Sequence, residues 1–308
     1  MNIEQLTEFH KKGCEEYKKI IDTRFKGEAA EDIYIHSSIF KEKLLASYPD
    51  REMIEYRSSG TSGQPSRITF SRKDSIEQQR LLVKTISPYL KSIKKRLFVE
   101  LSNEDNRTNN ARKAAGRGFS LLGKKRIKIS PDQVGLERAM KICQEEEMGM
   151  TIFGFTFEVY EFLRKLKSAN GKIKEGADLI HGGGWKKLER NKITDKDFNN
   201  LARQKIEDIN IVNYYGMVEQ LGLIYPSCKE GYFHVPQEAK IIIRGRNGER
   251  VNDGEAGIIQ SISLLPKSYP GHSILTEDIG KKISGICKCG RDTDRFEFIQ
   301  RIKKAETR

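Results

Sequence analysis

From residue 96 to residue 214 the sequence alternates between two periods, and this alternation constrains the fold more than any single motif. Arg96–Leu101, Lys125–Ile129, Met150–Phe153, Ala177–Ile180 and Ile209–Tyr214 are short runs of strand character. Between them Pro131–Gln144, Phe157–Leu166 and Thr194–Gln204 carry apolar residues at helical spacing. Strands alternating with helices predict a mainly parallel sheet, since parallel neighbours need a crossover that a helix supplies. Such sheets bind ligands beyond the carboxyl ends of their strands. The loops at His181–Trp185 and Tyr215–Glu219 are the chemically richest ones in those positions.

The flanks read differently. Ile3, Leu6, Phe9, Tyr17, Ile20 and Ile21 predict an amphipathic helix over residues 3–23. A short strand at Ile33–Ile35 and a helical turn at Ser38–Ala46 follow, then a helix capped by Asp74 and running to about Ile93, with Ile76, Leu81, Leu82 and Ile86 inward. From Leu221 onward, short strand-like pieces are separated by Gly, Pro, Asn and Asp. The expected organisation is an α/β core over 1–220 and a smaller β-rich subdomain over 221–308.

Composition excludes several classes. The 308 residues are 37% hydrophobic and 32% charged, and no apolar run approaches the ~20 residues of a membrane span. Met1–Lys12 lacks the apolar block of a signal peptide, and five cysteines do not suggest a disulfide scaffold. The expected location is the cytoplasm. The net charge of +13 is concentrated in Arg107–Lys128, which has one aromatic residue, Phe119, and no helix-turn-helix or zinc-finger pattern. A nucleic-acid partner is therefore not expected. That stretch reads either as a solvated face or as a site for an acidic partner or anionic cosubstrate.

Ser58-Ser59-Gly60-Thr61-Ser62-Gly63-Gln64-Pro65-Ser66 lies between two strand-like segments, Ile54–Arg57 and Arg67–Phe70. Its glycines permit close approach of a ligand, and its N–H groups and hydroxyls can hold phosphate oxygens. It lacks the Gly-Lys-Ser/Thr of a Walker loop, and a plain polar hairpin loop is the alternative. Tyr215-Gly216-Met217-Val218-Glu219 offers an aromatic face for a base and a hard carboxylate for Mg²⁺. Thr276-Glu277-Asp278-Ile279-Gly280 offers a carboxylate, the natural bidentate acceptor for a diol. Cys228, His234, Cys287 and Cys289 could supply the four N/S ligands that Zn²⁺ takes, or could be buried thiols and an unrelated pair.

Taken in order, these segments resemble the motifs of the adenylate-forming superfamily. Phe40-Lys41, His181-Gly-Gly-Gly-Trp-Lys186 and the run Ser268–Asp278 are together similar to the acyl-protein synthetase family of the bacterial bioluminescence type, which also resembles phenylacetate-CoA ligases. The likeness covers roughly residues 32–308. Four places depart from the superfamily motifs: Ser66-Arg67 where a lysine is usual, Val218 for threonine, Glu277 for glycine, and Gln300 for glycine before Arg301.

The resemblance implies a large α/β adenylation core with a smaller β-rich subdomain and no C-terminal lid domain. It implies that Ser58, Ser59, Gly60, Thr61, Ser62 and Gly63 hold phosphates, and that Gly183, Gly184, Tyr215, Gly216, Asp278 and Arg295 contact the rest of the ATP. Glu219, through Mg²⁺, and the hinge residue Arg301 would be catalytic, and a structural Zn²⁺ would sit on Cys228, His234, Cys287 and Cys289. The implied reaction is ATP-dependent activation of a carboxylic acid, of fatty type, for transfer to a protein thiol or CoA, with an acyl reductase as a further partner. The alternative is a catalytically weak nucleotide-binding or scaffold partner of such a reductase, motivated by Val218 and the missing lid lysine. The sequence ends at Arg308, before the family's acceptor cysteine, and Cys14 and Cys143 fall in predicted helices. The acyl group is therefore expected to pass to another molecule.

Overall fold

The computed structural model describes residues 1–48, 52–58, 64–102, 111–167, 173–185, 188 and 192–302. Contacts divide the chain into two compact units: residues 79–108 with 112–216, and residues 1–78 with 109–111 and 217–308.

The unit formed by residues 79–108 and 112–216 is the parallel sheet that the alternation predicts. Its strands run in the order Lys125–Ile129, Arg96–Leu101, Gly149–Phe155, Ala177–Gly182, Ile209–Tyr215, and neighbours in this order pair in parallel. Gln133–Glu145, Thr156–Lys165 and Asp195–Lys205 are the helices between them. Asp132 caps the first through the N–H of Gly135, and Thr194 caps the last through that of Asp197. Their apolar stripes bury Leu136, Ala139, Val159, Leu163, Phe198 and Ala202 in one core with Leu97, Val99, Met150, Ile152 and Leu179. Gly149–Phe155 and Ala177–Gly182 are buried along nearly their whole length, as expected of parallel strands covered on two faces.

The basic stretch does not stay wholly in solvent. Arg112, on helix Ala111–Phe119, is only 8% exposed; it donates to the Leu101 carbonyl and pairs with Glu158 at 3.0 Å. Lys125 and Lys128 pair with Glu146 and Glu100, residues distant in sequence.

In the other unit, the expected single helix over 3–23 is two, Ile3–Gly13 and Glu15–Arg24. The backbone turns extended at Cys14 (φ −139°); beside it the Gly13 carbonyl accepts from the Tyr48 N–H at 3.2 Å, and the Tyr48 ring lies where a Cβ on Gly13 would come within 2.4 Å of it. The sheet of this unit runs Phe233–His234, Arg295–Arg301, Ser273–Ile283, Ala256–Ser263, Ala239–Arg244, all antiparallel. Ile35–His36 adds to Ser273–Ile283 in parallel, with Ile35 opposite Ile274 and His36 opposite Leu275. The early segment that the sequence reading assigned to the α/β core is thus paired with the β-rich part.

Two other local expectations changed. The helix after the glycine-rich loop is Arg72–Ile86, and Pro88 falls in a short 3-10 turn at Ser87–Tyr89 in place of continued α-helix. Ser71, not Asp74, supplies its capping oxygen, by accepting from the Asp74 N–H. Ile76 is 45% exposed, whereas Leu81, Leu82 and Ile86 face inward as expected.

Candidate active site

In the unit of residues 1–78 and 217–308, Met53–Arg57 and Arg67–Ser71 form an antiparallel hairpin with Arg57 opposite Arg67. Its neck is closed twice. The Ser58 N–H donates to the Ser66 carbonyl (3.0 Å), and the Ser66 N–H donates to the Ser58 hydroxyl (2.9 Å). The tip, Ser59, Gly60, Thr61, Ser62 and Gly63, lies outside the described residues. Ser66, which stands in the region where a lysine was expected, is 1% exposed, and its side chain lies near enough to the Glu219 carboxylate to favour the ionised form.

Glu219 sits in a 3-10 turn at Val218–Gln220 and is 9% exposed. Burial pushes its carboxyl above the usual range, against which act the Ser66 hydroxyl and the charges of Arg301 and Lys41. The turn is fixed from below. Gln220 donates to the Ser261 and Gly271 carbonyls at 3.0 and 2.8 Å and accepts from the Ser261 hydroxyl. The buried Tyr269 donates to the Glu219 carbonyl at 2.9 Å. A Cβ on Gly271 would lie 2.3 Å from the Tyr269 ring and 2.9 Å from that carbonyl, so this packing needs glycine. The sequence singles out Tyr269 only as part of the run Ser268–Asp278 and Gln220 not at all, because neither residue type announces a supporting role.

Asp278 and Arg301 are directly opposite each other on paired strands. Glu277, beside Asp278, binds Lys41 through one carboxylate oxygen and Arg301 through the other, the latter at 2.6 Å. Burial alone would raise Glu277, but Lys41 and Arg301 bring it down to about 2. Glu219, Ser66, Arg301 and Lys41 are thus one electrostatic group, with Asp278 adjoining. Arg295 is at the other end of the same strand, Arg295–Arg301. Its guanidinium lies over the Tyr232 ring (5.3 Å) and donates to the Gly285 carbonyl.

In the other unit, Tyr215 ends its strand and Gly216 follows it. Gly183 has φ +79°, which glycine adopts without strain, and a Cβ on Gly184 would meet open space. Trp185 and His181 prove to be core. Trp185 packs on Tyr160 with ring centroids 4.9 Å apart, and His181 lies 4.4 Å from Phe198 and hydrogen-bonds Thr156. Burial holds His181 down to about 3, so it is neutral.

The ligand atoms of Cys228, His234, Cys287 and Cys289 all lie within 4.8 Å of one another. Cys228 and Cys287 sulfurs are 3.9 Å apart, and Cys289 Sγ is 3.5 Å from His234 Nε2. Ligands ~2.3 Å from the centre of a tetrahedron lie about 3.8 Å apart, so the set fits Zn²⁺. Two tight turns present the sulfurs, closed by Gly231 N–H to Cys228 and Gly290 N–H to Cys287, with both glycines at positive φ. His234 Nδ1 bonds the Thr293 hydroxyl (2.8 Å), which orients Nε2 toward the cluster. Burial, then the Arg291 and Arg295 charges, hold His234 near 4 and therefore neutral, as a ligand must be. The remaining thiols are buried: Cys14 at the joint between the first two helices, Cys143 in a helix with its pKa raised by burial to about 11. Among the described residues no helix is long and apolar enough to cross a membrane.

Comparison with known proteins follows the same lines. The family described as Acyl-protein synthetase, LuxE, matches residues 2–308. The chain belongs to this family. It is 26% identical over 294 residues to a long-chain-fatty-acid–luciferin-component ligase of Aliivibrio fischeri, covering 88% of this chain and 74% of that one. Among solved structures, a 2-hydroxyisobutyryl-CoA ligase aligns with TM-score 0.76 at 13% identity, over 98% of this chain and 67% of its own. A luciferase-like enzyme from Zophobas morio aligns with TM-score 0.55 at 18% identity, over 81% of this chain and 57% of its own. An O-succinylbenzoate-CoA synthetase from Bacillus subtilis aligns with TM-score 0.53 at 15% identity, over 80% of this chain and 49% of its own. Against the last two, this member of the acyl-protein synthetase family spans about half of the partner's length, and the shared part is the adenylate-forming fold.

Proposed function

We propose that this chain is a cytoplasmic ligase that uses ATP and Mg²⁺ to activate a carboxylic acid as its acyl-adenylate and passes the acyl group to a thiol on a protein or on CoA. The observation that carries the reading is the grouping of Glu219, Ser66, Lys41 and Arg301 beside Asp278, at the neck of the Ser58–Ser66 loop. Such an arrangement joins donors for phosphate oxygens, a carboxylate for a divalent cation and a second carboxylate for a diol. The substrate carboxylate oxygen attacks the α-phosphorus in line, the bond to the bridging oxygen breaks, and pyrophosphate leaves. The acceptor thiol then attacks the acyl carbon, AMP departs, and the thiol proton goes to solvent.

Each residue has a defined task. The loop Ser58–Ser66 holds the phosphates, and Glu219 would hold Mg²⁺, which supplies charge neutralisation on the triphosphate. Asp278 accepts the ribose hydroxyls, and Arg301 sets positive charge beside it. Charge placement of this kind carries most of the catalysis in phosphoryl chemistry. The fatty-acid ligase of Aliivibrio fischeri supports a long-chain acid as substrate. An acyl reductase that consumes the activated acyl group is the partner this chemistry calls for.

The test is ATP–pyrophosphate exchange across a panel of carboxylic acids, with exchange that depends on the acid as the expected result. ATP binding with no exchange for any acid would favour the scaffold reading. For the metal, Cys228, His234, Cys287 and Cys289 would hold one structural Zn²⁺ per chain. Elemental analysis of protein purified without added metal is expected to find it, and stripping it is expected to lower the melting temperature, because its binding free energy adds to folding. A metal-free protein whose melting ignores strong chelators would sink this assignment.

A further inference from the structure

Glu277 occupies a position where the motif of the adenylate-forming superfamily usually has glycine, and a glycine there could make neither of its two contacts. One carboxylate oxygen meets Lys41 Nζ and the other meets Arg301 Nη2 at 2.6 Å. The Glu277 side chain is 19% exposed and Lys41 26%, whereas the Arg301 side chain is 63% exposed, so the bridge runs from a part-buried lysine to a cation on the surface.

All three members are anchored. Lys41 lies on the short helix Ile39–Glu42. The preceding Ile35–His36 pairs in parallel with the strand that carries Glu277. The neighbouring Phe40 is fully buried and meets Tyr269 edge-on at 5.9 Å, and Tyr269 in turn holds the Glu219 carbonyl. Arg301 is held by the ladder opposite Asp278, and the next residue, Ile302, donates its N–H to the Glu277 carbonyl at 2.8 Å. Two cations set this close repel each other, and each carries a long flexible side chain. Left without a shared anion, they would part and lose their fixed direction.

We propose that Glu277 is a positioning residue, a clamp that holds Lys41 and Arg301 together beside Glu219 so that their net positive charge faces the nucleotide phosphates. The clamp rests on the adenylation reading for its purpose but not for its existence. Lys41 and Arg301 contribute two positive charges and Glu277 one negative charge, which leaves one positive charge for the triphosphate. The lysine that the phosphate loop lacks is in this way replaced by one fixed from a distant helix.

The test uses Glu277→Gln, which keeps the shape and removes the charge, in the full chain with two measurements. Acetylation of Lys41 by an amine-reactive ester, mapped by peptide mass spectrometry, is expected to quicken several-fold in E277Q. Acid-dependent ATP–pyrophosphate exchange is expected to fall about ten-fold, with KM for ATP raised, and to recover in part in E277D. A thermal melt that stays near the wild type separates this from simple destabilisation. Unchanged Lys41 labelling in E277Q overturns the clamp. So does unchanged or faster exchange once Lys41 has been freed. A wild-type chain with no exchange for any acid sinks the adenylation reading, while the labelling still decides the clamp by itself.

Discussion

Two arginine–carboxylate pairs in this protein share chemistry and differ in almost everything else. Arg96 and Asp178, on strands of the parallel sheet that flank Gly149–Phe155, are both fully buried. Arg96 donates to Thr151, to the carbonyls of Met150, Glu175 and Gly176, and to Asp178. Asp178 is satisfied in turn by the Asn210 amide at 2.7 Å and the Lys91 N–H at 3.0 Å. Every strong group is used, and no face is left for a ligand. Arg301 is exposed and Glu277 part-buried, the Glu277 carboxylate is shared with Lys41, and the group stands beside the buried, pKa-raised Glu219. A polar network that closes on itself is architecture. One that is held firmly yet keeps charge facing outward is where chemistry can occur.

That contrast is open to attack by mutation. The largest effect belongs to the closed pair: Arg96→Met or Asp178→Asn leaves an uncompensated buried group and is expected to cost about 3–5 kcal/mol of folding stability. Denaturant unfolding would measure it, and exchange activity per folded molecule should persist below the melting temperature. A loss under about 1 kcal/mol would mean that the pair behaves like a surface bridge.

The open site should show the reverse. Glu219→Ala and Asp278→Ala are each expected to cut acid-dependent pyrophosphate exchange by more than ~10-fold, ~1.4 kcal/mol at the transition state, with little change in melting. Unchanged exchange in both would remove them from the site. Because burial raises the Glu219 carboxyl, exchange is also expected to fall on acidification above the ordinary carboxylate range, as protonation removes the metal-binding charge.

The smallest effect comes from other closed groups, the buried neutral histidines. His10 is held near 4 by burial, bonds Ser47 and the Pro266 carbonyl, and stacks on His272 at 4.9 Å; His272 is also held low by burial, and His181 near 3. Each is neutral when folded and takes a proton when unfolded below pH ~6.5, so stability is full above that value and is lost as pH falls toward the folded pKa. Between pH 7 and pH 6 each is expected to contribute a loss of roughly 0.7 kcal/mol. Denaturant midpoints that do not move between those two pH values would contradict this.

How much could be read beforehand followed the range of the forces involved. The parallel sheet was legible because period and polarity are local: each strand from Arg96–Leu101 to Ile209–Tyr215 was expected within a few residues of where it lies. The four zinc-type ligands were legible as residue types, and Glu219 and Asp278 through their motifs. The break at Cys14 was not, and the residue that packs and hydrogen-bonds beside it, Tyr48, is thirty-four residues on. Nor was the burial of Arg112, whose carboxylate partner, Glu158, sits on another helix.

By itself, then, the sequence determined which segments are helix or strand and which residues could carry chemistry, because backbone periodicity and side-chain type are properties of short stretches. Only the tertiary structure decided which of those residues meet. It took Ile35–His36 out of the α/β part and paired it with Ser273–Ile283, and so brought Lys41 to Glu277 across 236 positions of sequence. It turned Ser66 inward onto Glu219, and it put His181 and Trp185 into the core. Charge and hydrogen bonding act through space, and where distant segments come together is fixed by burial of the whole chain, which no short stretch encodes.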